Sequence, residues 1–240
     1  MRRTKDGRQI VVASTVSPIR NPADTLIAAS AIERDITDVK RAETQQKTLI
    51  AELNHRVKNT LASVISISAS TMLGRASLDE FRPAFEGRIR ALANAHDLLS
   101  RSGWNGADLR DIVATELEPY SDDHTVSIQG GRLVLTPSAA LTLAMIVHEL
   151  ATNASKYGAL SAGGGAIDIA WSVAGGRLIF RWQERKGPTV SKPERLGFGL
   201  RLIERSAAND LQGEAAIEFE PGGLRCTINI PVAELTPRTG

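Results

Sequence analysis

The spacing of apolar residues changes twice along this chain, and this constrains its fold more than any other feature. Residues 9–36 contain β-rich runs separated by turn signals, which favours a β-hairpin. From about Thr37 the apolar residues recur at every third or fourth position, which predicts long helices. Beyond residue 103, short strand and helix patterns alternate. The sequence therefore predicts an α+β chain in which a helical segment precedes an α/β domain.

The helical segment is predicted to contain two helices, each with one apolar stripe. The second runs from Leu78 to about Ser100, and Gly74 is the predicted end of the first. The stripes consist of Ile50, Leu53, Val57, Leu61 and Val64 on the first helix and Phe85, Ile89, Leu92, His96 and Leu99 on the second. Two long helices joined by a short link form an antiparallel hairpin. Because one stripe per helix requires further partners, a dimeric four-helix bundle is expected.

The α/β part contains one helix with clear signals at both ends. Thr136 is a predicted N-cap, Pro137 occupies the first helical position, and Gly158 follows the predicted end at Tyr157. A later helix is predicted over residues 199–209. The predicted strands are residues 125–129, 132–135, 166–173, 178–182, 215–219 and 224–230.

The composition excludes several classes of function. The chain has 240 residues, of which 42% are hydrophobic, enough for a substantial core. A net charge of +2 is too small to indicate a nucleic-acid surface, so no nucleic-acid partner is expected. One cysteine, Cys226, suits a reducing compartment, and no apolar run is long enough for a membrane span. The N-terminus is basic, but no apolar core follows it, so no signal peptide is expected. We therefore expect a cytoplasmic protein.

His55 is the first candidate for chemistry. It lies about 160° from Leu53 and Val57 around the helix axis, so it points away from the apolar stripe. A neutral imidazole is a good nucleophile near pH 7, and Glu52 on the same face can accept its proton. An ordinary surface histidine is the simpler interpretation of this periodicity. The rival histidine, His96, falls on an apolar stripe and is expected in a core or an interface.

A second set of polar residues follows one face of the helix that ends at Tyr157. Glu149, Asn153 and Lys156 are spaced four and three residues apart, next to apolar positions. Asparagine and glutamate oxygens suit Mg²⁺, and a lysine suits phosphate oxygens. A solvated helix end explains the pattern equally well.

Glycines form the third set. Gly187 follows a predicted strand, and Gly197 and Gly199 open the next helix. Glycines let backbone N–H groups approach phosphates, and a helix N-terminus favours anions. Each signal is weak by itself, because ordinary loops carry the same residues. The order of all three sets behind an exposed histidine is much more specific.

This order resembles the HWE subfamily of sensor histidine kinases over about residues 37–232. The three letters of the subfamily name fall on His148, Trp182 and Glu184. The matching segments are residues 51–59 (phosphoacceptor box), 85–99 (second hairpin helix), 148–158 (N box), 182–184 (W-x-E signature) and 197–206 (glycine box). Residues 1–42 are similar to the C-terminal end of a PAS sensor domain.

The resemblance implies a Bergerat-type α/β sandwich that binds ATP and Mg²⁺. Asn153 then holds Mg²⁺ against the phosphates, with Glu149 supporting that site. Lys156 approaches a phosphate, and Gly197 and Gly199 line the lid beside the phosphates.

The same resemblance assigns the base side of the nucleotide. Tyr157 lines the pocket, and Glu184 stands where related ATPases place the carboxylate that recognises the adenine amine. Gly187 is also expected to be one of the nucleotide-binding residues.

The implied function is that of an ATP-dependent protein-histidine kinase in two-component signalling. His55 is autophosphorylated, with Glu52 or Glu149 removing the proton, and the phosphoryl group passes to an aspartate of a response regulator receiver domain. We expect a homodimer. In each chain, the helical hairpin and the ATP-binding domain are expected to swing relative to each other about residues 103–106. The expected domains are a PAS-like remnant and linker at 1–42, the dimerisation and phosphotransfer hairpin at 43–102, and an HATPase-like catalytic domain at 103–235.

One position departs from the subfamily pattern. Lys186 stands where a glycine is usual, next to Gly187, and a side chain there can obstruct adenine or point into solvent. This departure and the partial sensor motivate an alternative, a non-catalytic phosphotransfer or scaffold dimer with a degenerate ATP-binding domain.

Overall fold

The computed structural model describes residues 1–72, 77–121, 125–161, 163–191, 193 and 197–236, with the side chain of Arg56 left aside. The predicted helix stop at Gly74 lies outside these residues. The chain divides into two compact units, the first ending at Ser63 and the second beginning at Val64.

The first unit is a small β structure followed by most of a long helix. Its elements are β1 (Arg2–Arg3), β2 (Gln9–Ile10), β3 (Val12–Arg20), β4 (Leu26–Asp35) and the helix α1 (Thr37–Met72), which continues into the second unit. β3 and β4 pair antiparallel, so the predicted hairpin is confirmed. The Asp35 side chain accepts a hydrogen bond of 2.8 Å from the Thr37 backbone N–H and thereby caps α1.

Many apolar side chains of the first unit are exposed. They include Val16, Ile19, Leu26, Ile27 and Ile32 on the hairpin and Leu49, Ile50, Leu53, Val57 and Leu61 on α1. A two-stranded hairpin cannot bury such a face by itself, and a contiguous apolar stripe on a helix is typical of an interaction surface.

The second unit contains the end of α1 and an α/β sandwich. Its further elements are α2 (Leu78–Arg101), β5 (Ala107–Asp108), α3 (Leu109–Leu117), β6 (Thr125–Gln129), β7 (Val134–Leu135), α4 (Pro137–Tyr157), β8 (Ala166–Ala174), β9 (Arg177–Arg185), α5 (Phe198–Asn209), β10 (Glu214–Glu220) and β11 (Gly223–Pro231). Five strands form one sheet in the order β10-β11-β9-β8-β6. β6 and β8 are parallel, and the other neighbours are antiparallel.

The helices cover one face of this sheet. Burial alternates along β9, where Leu178, Phe180, Trp182 and Glu184 are buried and the intervening residues are not. α4 is central, since it packs against α2, α3 and α5 and supplies many core residues. The Thr136 hydroxyl accepts a hydrogen bond from the Ala139 N–H at 3.4 Å, and Pro137 begins α4 as predicted. The prediction of a mixed helix-and-sheet domain is confirmed.

The predicted hinge at 103–106 is a turn with an unusual backbone. Gly103, Trp104 and Gly106 all have positive φ angles, of 62°, 64° and 118°. A Cβ on Gly106 would lie 2.3 Å from the Leu135 carbonyl oxygen, so only glycine fits there. Leu99 before the turn and Leu109 after it lie in the same hydrophobic core. The C-terminal turns of α2 are therefore part of the α/β structure.

Among the described residues, every helix is too short or too polar to cross a membrane.

Candidate functional site

A cavity of about 810 Å³ opens beside α4 in the second unit. Its wall contains the predicted nucleotide-site residues Glu149, Asn153, Lys156, Tyr157, Glu184, Gly197 and Gly199. α4 supplies the first four, β9 supplies Glu184, and the start of α5 supplies the glycines. The structure thus brings together residues that lie up to 50 positions apart in the sequence.

Asn153 has the clearest signature of a ligand contact. Its Nδ2 is buried and has no hydrogen-bond partner among the residues that the structure describes. An unsatisfied buried amide costs about 1–3 kcal/mol, which a ligand acceptor removes. The same side chain offers a carbonyl oxygen, which suits a hard cation. Among the described residues, no group of three or more His, Cys, Asp or Glu side chains is arranged so that it could hold a metal ion.

Glu149 lies in a buried ion pair that the sequence did not reveal. The Arg88 guanidinium donates from Nε to Oε1 at 2.6 Å and from Nη2 to Oε2 at 3.0 Å. Its Nη1 donates to the Thr71 hydroxyl at 2.7 Å. Arg88 falls between Phe85 and Leu92 on the apolar stripe of α2. A lone charge on such a stripe is the signal that predicts a buried pair.

The glycine box sits directly on this pair. A Cβ on Gly199 would lie 2.4 Å from Glu149 Oε2 and 3.4 Å from Asn153 Nδ2, so the close approach requires glycine. At Gly197 a Cβ would meet no described atom within 4 Å. Gly197 is instead the N-cap of α5, where backbone N–H groups lack helical acceptors and favour an anion.

Glu184 lines the cavity from β9 and is held there by hydrogen bonds. Trp182 and Glu184 lie two apart on β9 and therefore share its buried face. The Ala159 backbone N–H donates to Glu184 Oε2 at 2.9 Å, and a Cβ on Gly158 would collide with the same oxygen. Burial raises the pKa of the Glu184 carboxyl, while the hydrogen bonds from Ala159 and Trp182 act in the opposite direction.

Gly187 lies off the cavity wall. A Cβ there would come within 2.7 Å of the Ala159 Cα, so this glycine serves the packing of the chain behind Glu184. Lys186 has a φ of 57°, which is the reason that a glycine suits the position. Its side chain is exposed, and it too lies off the cavity wall.

A second polar pair lines the cavity next to Thr152. His148 Nδ1 lies 3.0 Å from Glu116 Oε2, and its Nε2 lies 3.5 Å from the Thr152 hydroxyl. Glu116 is buried in α3, and nothing in its sequence context had marked it. The pair fixes the orientation of the His148 imidazole.

His55 and Glu52 lie on α1 in the first unit, and both are exposed as predicted. His55 Nδ1 lies 3.5 Å from Asn59 Nδ2, a weak contact that leaves the ring accessible. His96 is half-buried, and its ring packs edge-on against Trp104 at 5.2 Å. Burial lowers the pKa of His96, which agrees with its predicted place in the core.

Comparison with known proteins agrees with this geometry. Residues 52–132 match the model of the HWE histidine kinase family. The predicted resemblance to the HWE histidine kinases is confirmed. The blue-light-activated histidine kinase of Brucella ovis is 35% identical over 216 residues, which are 87% of this chain and 44% of that protein. The Brucella anthropi protein of the same name is 36% identical over 211 residues, which are 85% of this chain and 43% of that protein. The chain thus spans less than half the length of these curated relatives.

Solved structures agree on the fold of this HWE-related chain. The Erythrobacter litoralis EL346 blue-light activated histidine kinase aligns with a TM-score of 0.59 and 20% identity over 97% of this chain and 74% of that one. The separately solved histidine kinase domain of the same protein aligns with a TM-score of 0.56 and 17% identity. The alignment covers 81% of this chain and 95% of that domain.

Proposed function

We propose that this chain is an ATP-dependent sensor protein-histidine kinase that acts in two-component signalling. The observation that carries the proposal is the cavity in which Nδ2 of Asn153, buried and without a hydrogen-bond partner among the described residues, lies beside Glu149 and the glycine box. An amide in that position suits a triphosphate and its cation. Kinship with HWE kinases selects this nucleotide function among the possible ligands.

ATP would lie along the cavity with its base near Glu184 and its phosphates near Gly197 and Gly199. The buried Glu184 carboxylate has lone pairs left after the Ala159 contact, and these suit an exocyclic amine. Lys156, exposed at the cavity rim, supplies a cation for phosphate oxygens. Asn153 would hold Mg²⁺ through its carbonyl oxygen, and the metal would offset phosphate charge during transfer.

His55 is the proposed acceptor. An imidazole nitrogen forms a bond to the γ-phosphorus while the bond to the ADP oxygen breaks, and the imidazole proton passes to a carboxylate. Both carboxylate oxygens of Glu149 already accept hydrogen bonds from Arg88, which favours Glu52 for this role. The phosphoryl group then moves to an aspartate of a response regulator receiver domain.

The exposed apolar stripe of α1 supports a homodimer built from helical hairpins. Within the second unit, Ile67 of α1 packs in one small cluster with Ala91 and Leu92 of α2, which is compatible with such a hairpin. On this proposal, residues 1–42 belong to a PAS-like region, 43–102 to the dimerisation and phosphotransfer hairpin, and 103–235 to the catalytic ATP-binding domain.

The test is incubation with γ-labelled ATP and Mg²⁺, with the wild type beside His55→Gln. Acid-labile label that disappears in the variant is the expected result. His96→Gln is the matched control, and it should keep its label because His96 is a packing residue. Label that persists in His55→Gln contradicts the assignment of the acceptor. A wild type that neither binds ATP nor becomes labelled supports the scaffold alternative.

A further inference from the structure

Arg88 is a buried cation in the wall of the nucleotide cavity, and the proposed function gives it no role beyond its pairing with Glu149. Its side chain is 2% exposed. All three of its guanidinium nitrogens donate hydrogen bonds to side chains, two to Glu149 and one to Thr71. A guanidinium is planar and presents its donors in a fixed fork. Such a group determines where its partners lie.

The bidentate contact fixes both oxygens of Glu149. With Nε on Oε1 and Nη2 on Oε2, the carboxylate can neither rotate about its last bond nor move along the cavity wall. The guanidinium carbon also lies 4.6 Å from the centre of the Phe198 ring. Phe198 is the first residue of α5 and separates the two glycines of the glycine box. Arg88 thus contacts Glu149 and the glycine box at once.

Arg88 is itself held from the other side. Thr71, in the last turn of α1, accepts the third hydrogen bond and donates its own hydroxyl hydrogen to the Ile67 carbonyl. Thr71 is fully buried. α1 is also the helix that contains His55. The contacts Thr71–Arg88–Glu149 therefore join the end of the acceptor helix to the N box.

We propose that Arg88 is a positioning residue for phosphoryl transfer, which fixes the Glu149 carboxylate beside Asn153 and takes its own position from Thr71. The proposal rests on the proposed kinase function. Arg88 acts through Glu149 and makes no contact with the reacting atoms in this account. Groups that orient the residues around a metal typically affect activity or metal affinity by about 10–100-fold.

The test uses the full chain and the variant Arg88→Lys, which keeps the charge but loses the fork. Autophosphorylation gives kcat and KM for ATP, and calorimetry gives Kd for ATP with and without Mg²⁺. We expect kcat to fall by about 10–100-fold and the gain in affinity from Mg²⁺ to fall by about tenfold. Affinity for ATP without Mg²⁺ should stay within about threefold.

Two further variants separate positioning from folding. Arg82→Lys is the matched control, since Arg82 lies on the same helix in an exposed pair with Glu86 and should behave as the wild type. Thr71→Val keeps the ion pair and removes one hydrogen bond, so kcat should fall by a smaller factor in a chain that circular dichroism shows to be folded. Thr71→Val decides the question if Arg88→Lys fails to fold.

A double-mutant cycle tests the route of the effect. If Arg88 acts through Glu149, adding Arg88→Lys to Glu149→Gln changes kcat by less than about twofold. Independent, multiplying losses would overturn the proposal, and so would an unchanged kcat in Arg88→Lys. A wild type that never labels His55 overturns the kinase function instead. The gain in ATP affinity on adding Mg²⁺ then tests the role of Arg88. A smaller gain in Arg88→Lys than in the wild type supports the positioning role, and an equal gain overturns it.

Discussion

The two units of this chain treat their apolar residues in opposite ways. In the second unit, α4 and the sheet bury their apolar faces against each other, and Leu143, Phe180 and Ile228 are completely covered. In the first unit, Leu53 on α1 is 61% exposed and Ile32 on β4 is 71% exposed. The second unit thus has a core of its own, whereas the first presents surfaces that suit another protein segment. Substitutions in the second unit should therefore change the stability of the fold, whereas substitutions of the exposed apolar residues in the first unit should change self-association.

The largest expected effect comes from the core of the second unit. Leu143→Ala should lower the free energy of unfolding by about 2–5 kcal/mol, because a fully buried leucine leaves a cavity. Chemical denaturation followed by circular dichroism measures this loss. A loss below about 1 kcal/mol would show that Leu143 is not part of a close-packed core.

The ligand effect should be next in size and confined to the same unit. Saturation with Mg-ATP at 100 times its Kd should stabilise the wild type by about 2.7 kcal/mol. Asn153→Ala should lose this stabilisation, because the amide is the proposed contact for the metal and the phosphates. Thermal unfolding with and without Mg-ATP is the measurement. A full shift in Asn153→Ala would contradict the role given to the N box.

Leu53→Asp should reverse the pattern seen for Leu143. Its effect on the unfolding free energy of the monomer should be within about 0.5 kcal/mol, because the side chain is exposed. Its effect on self-association should be large, since burying an unpaired carboxylate in an interface is unfavourable. Sedimentation velocity distinguishes the two. A Leu53→Asp chain that still sediments as a dimer would remove the α1 stripe from the proposed interface.

Lys186→Gly should have the smallest effect and a stabilising one. The backbone at Lys186 has a φ of 57°, which costs a side chain about 1 kcal/mol relative to glycine. ATP affinity should be unchanged, since the lysine is exposed and lies off the cavity wall. Calorimetric titration with ATP checks the second point. A tighter Kd would show that the lysine obstructs the nucleotide.

The boundaries of an element could be predicted from the sequence where residues at its ends carry strong local signals. α4 begins and ends as predicted because Thr136, Pro137 and Gly158 are strong boundary residues. β9 is longer than the predicted 178–182, because residues 183–185 are polar and resemble a loop. Their strand conformation depends on pairing with β8 and β11, which a local pattern does not record.

The site was predicted residue by residue but not as a set of contacts. Glu149, Asn153 and Glu184 were identified from motifs, and the structure places all three on one cavity. The partners Arg88 and Glu116 were missed, because each comes from another helix and pairs across 61 and 32 positions. Motif spacing and helical periodicity relate residues only a few positions apart, so they do not show which residues pair across such separations. The crowding of Gly158 against Glu184 is likewise visible only in three dimensions.

The burial of Leu99 and Arg88 has a consequence for how this protein can be divided. A shortened chain that begins at residue 103, where the sequence pattern changes, would lack the leucine that fills the core and the cation that neutralises Glu149. Removing one partner of a buried pair costs about 3–5 kcal/mol. A fragment cut at that point would therefore understate the stability of the 240-residue chain and, on the proposed function, its nucleotide affinity. A fusion that transfers this α/β domain to another protein would need its junction before Arg88.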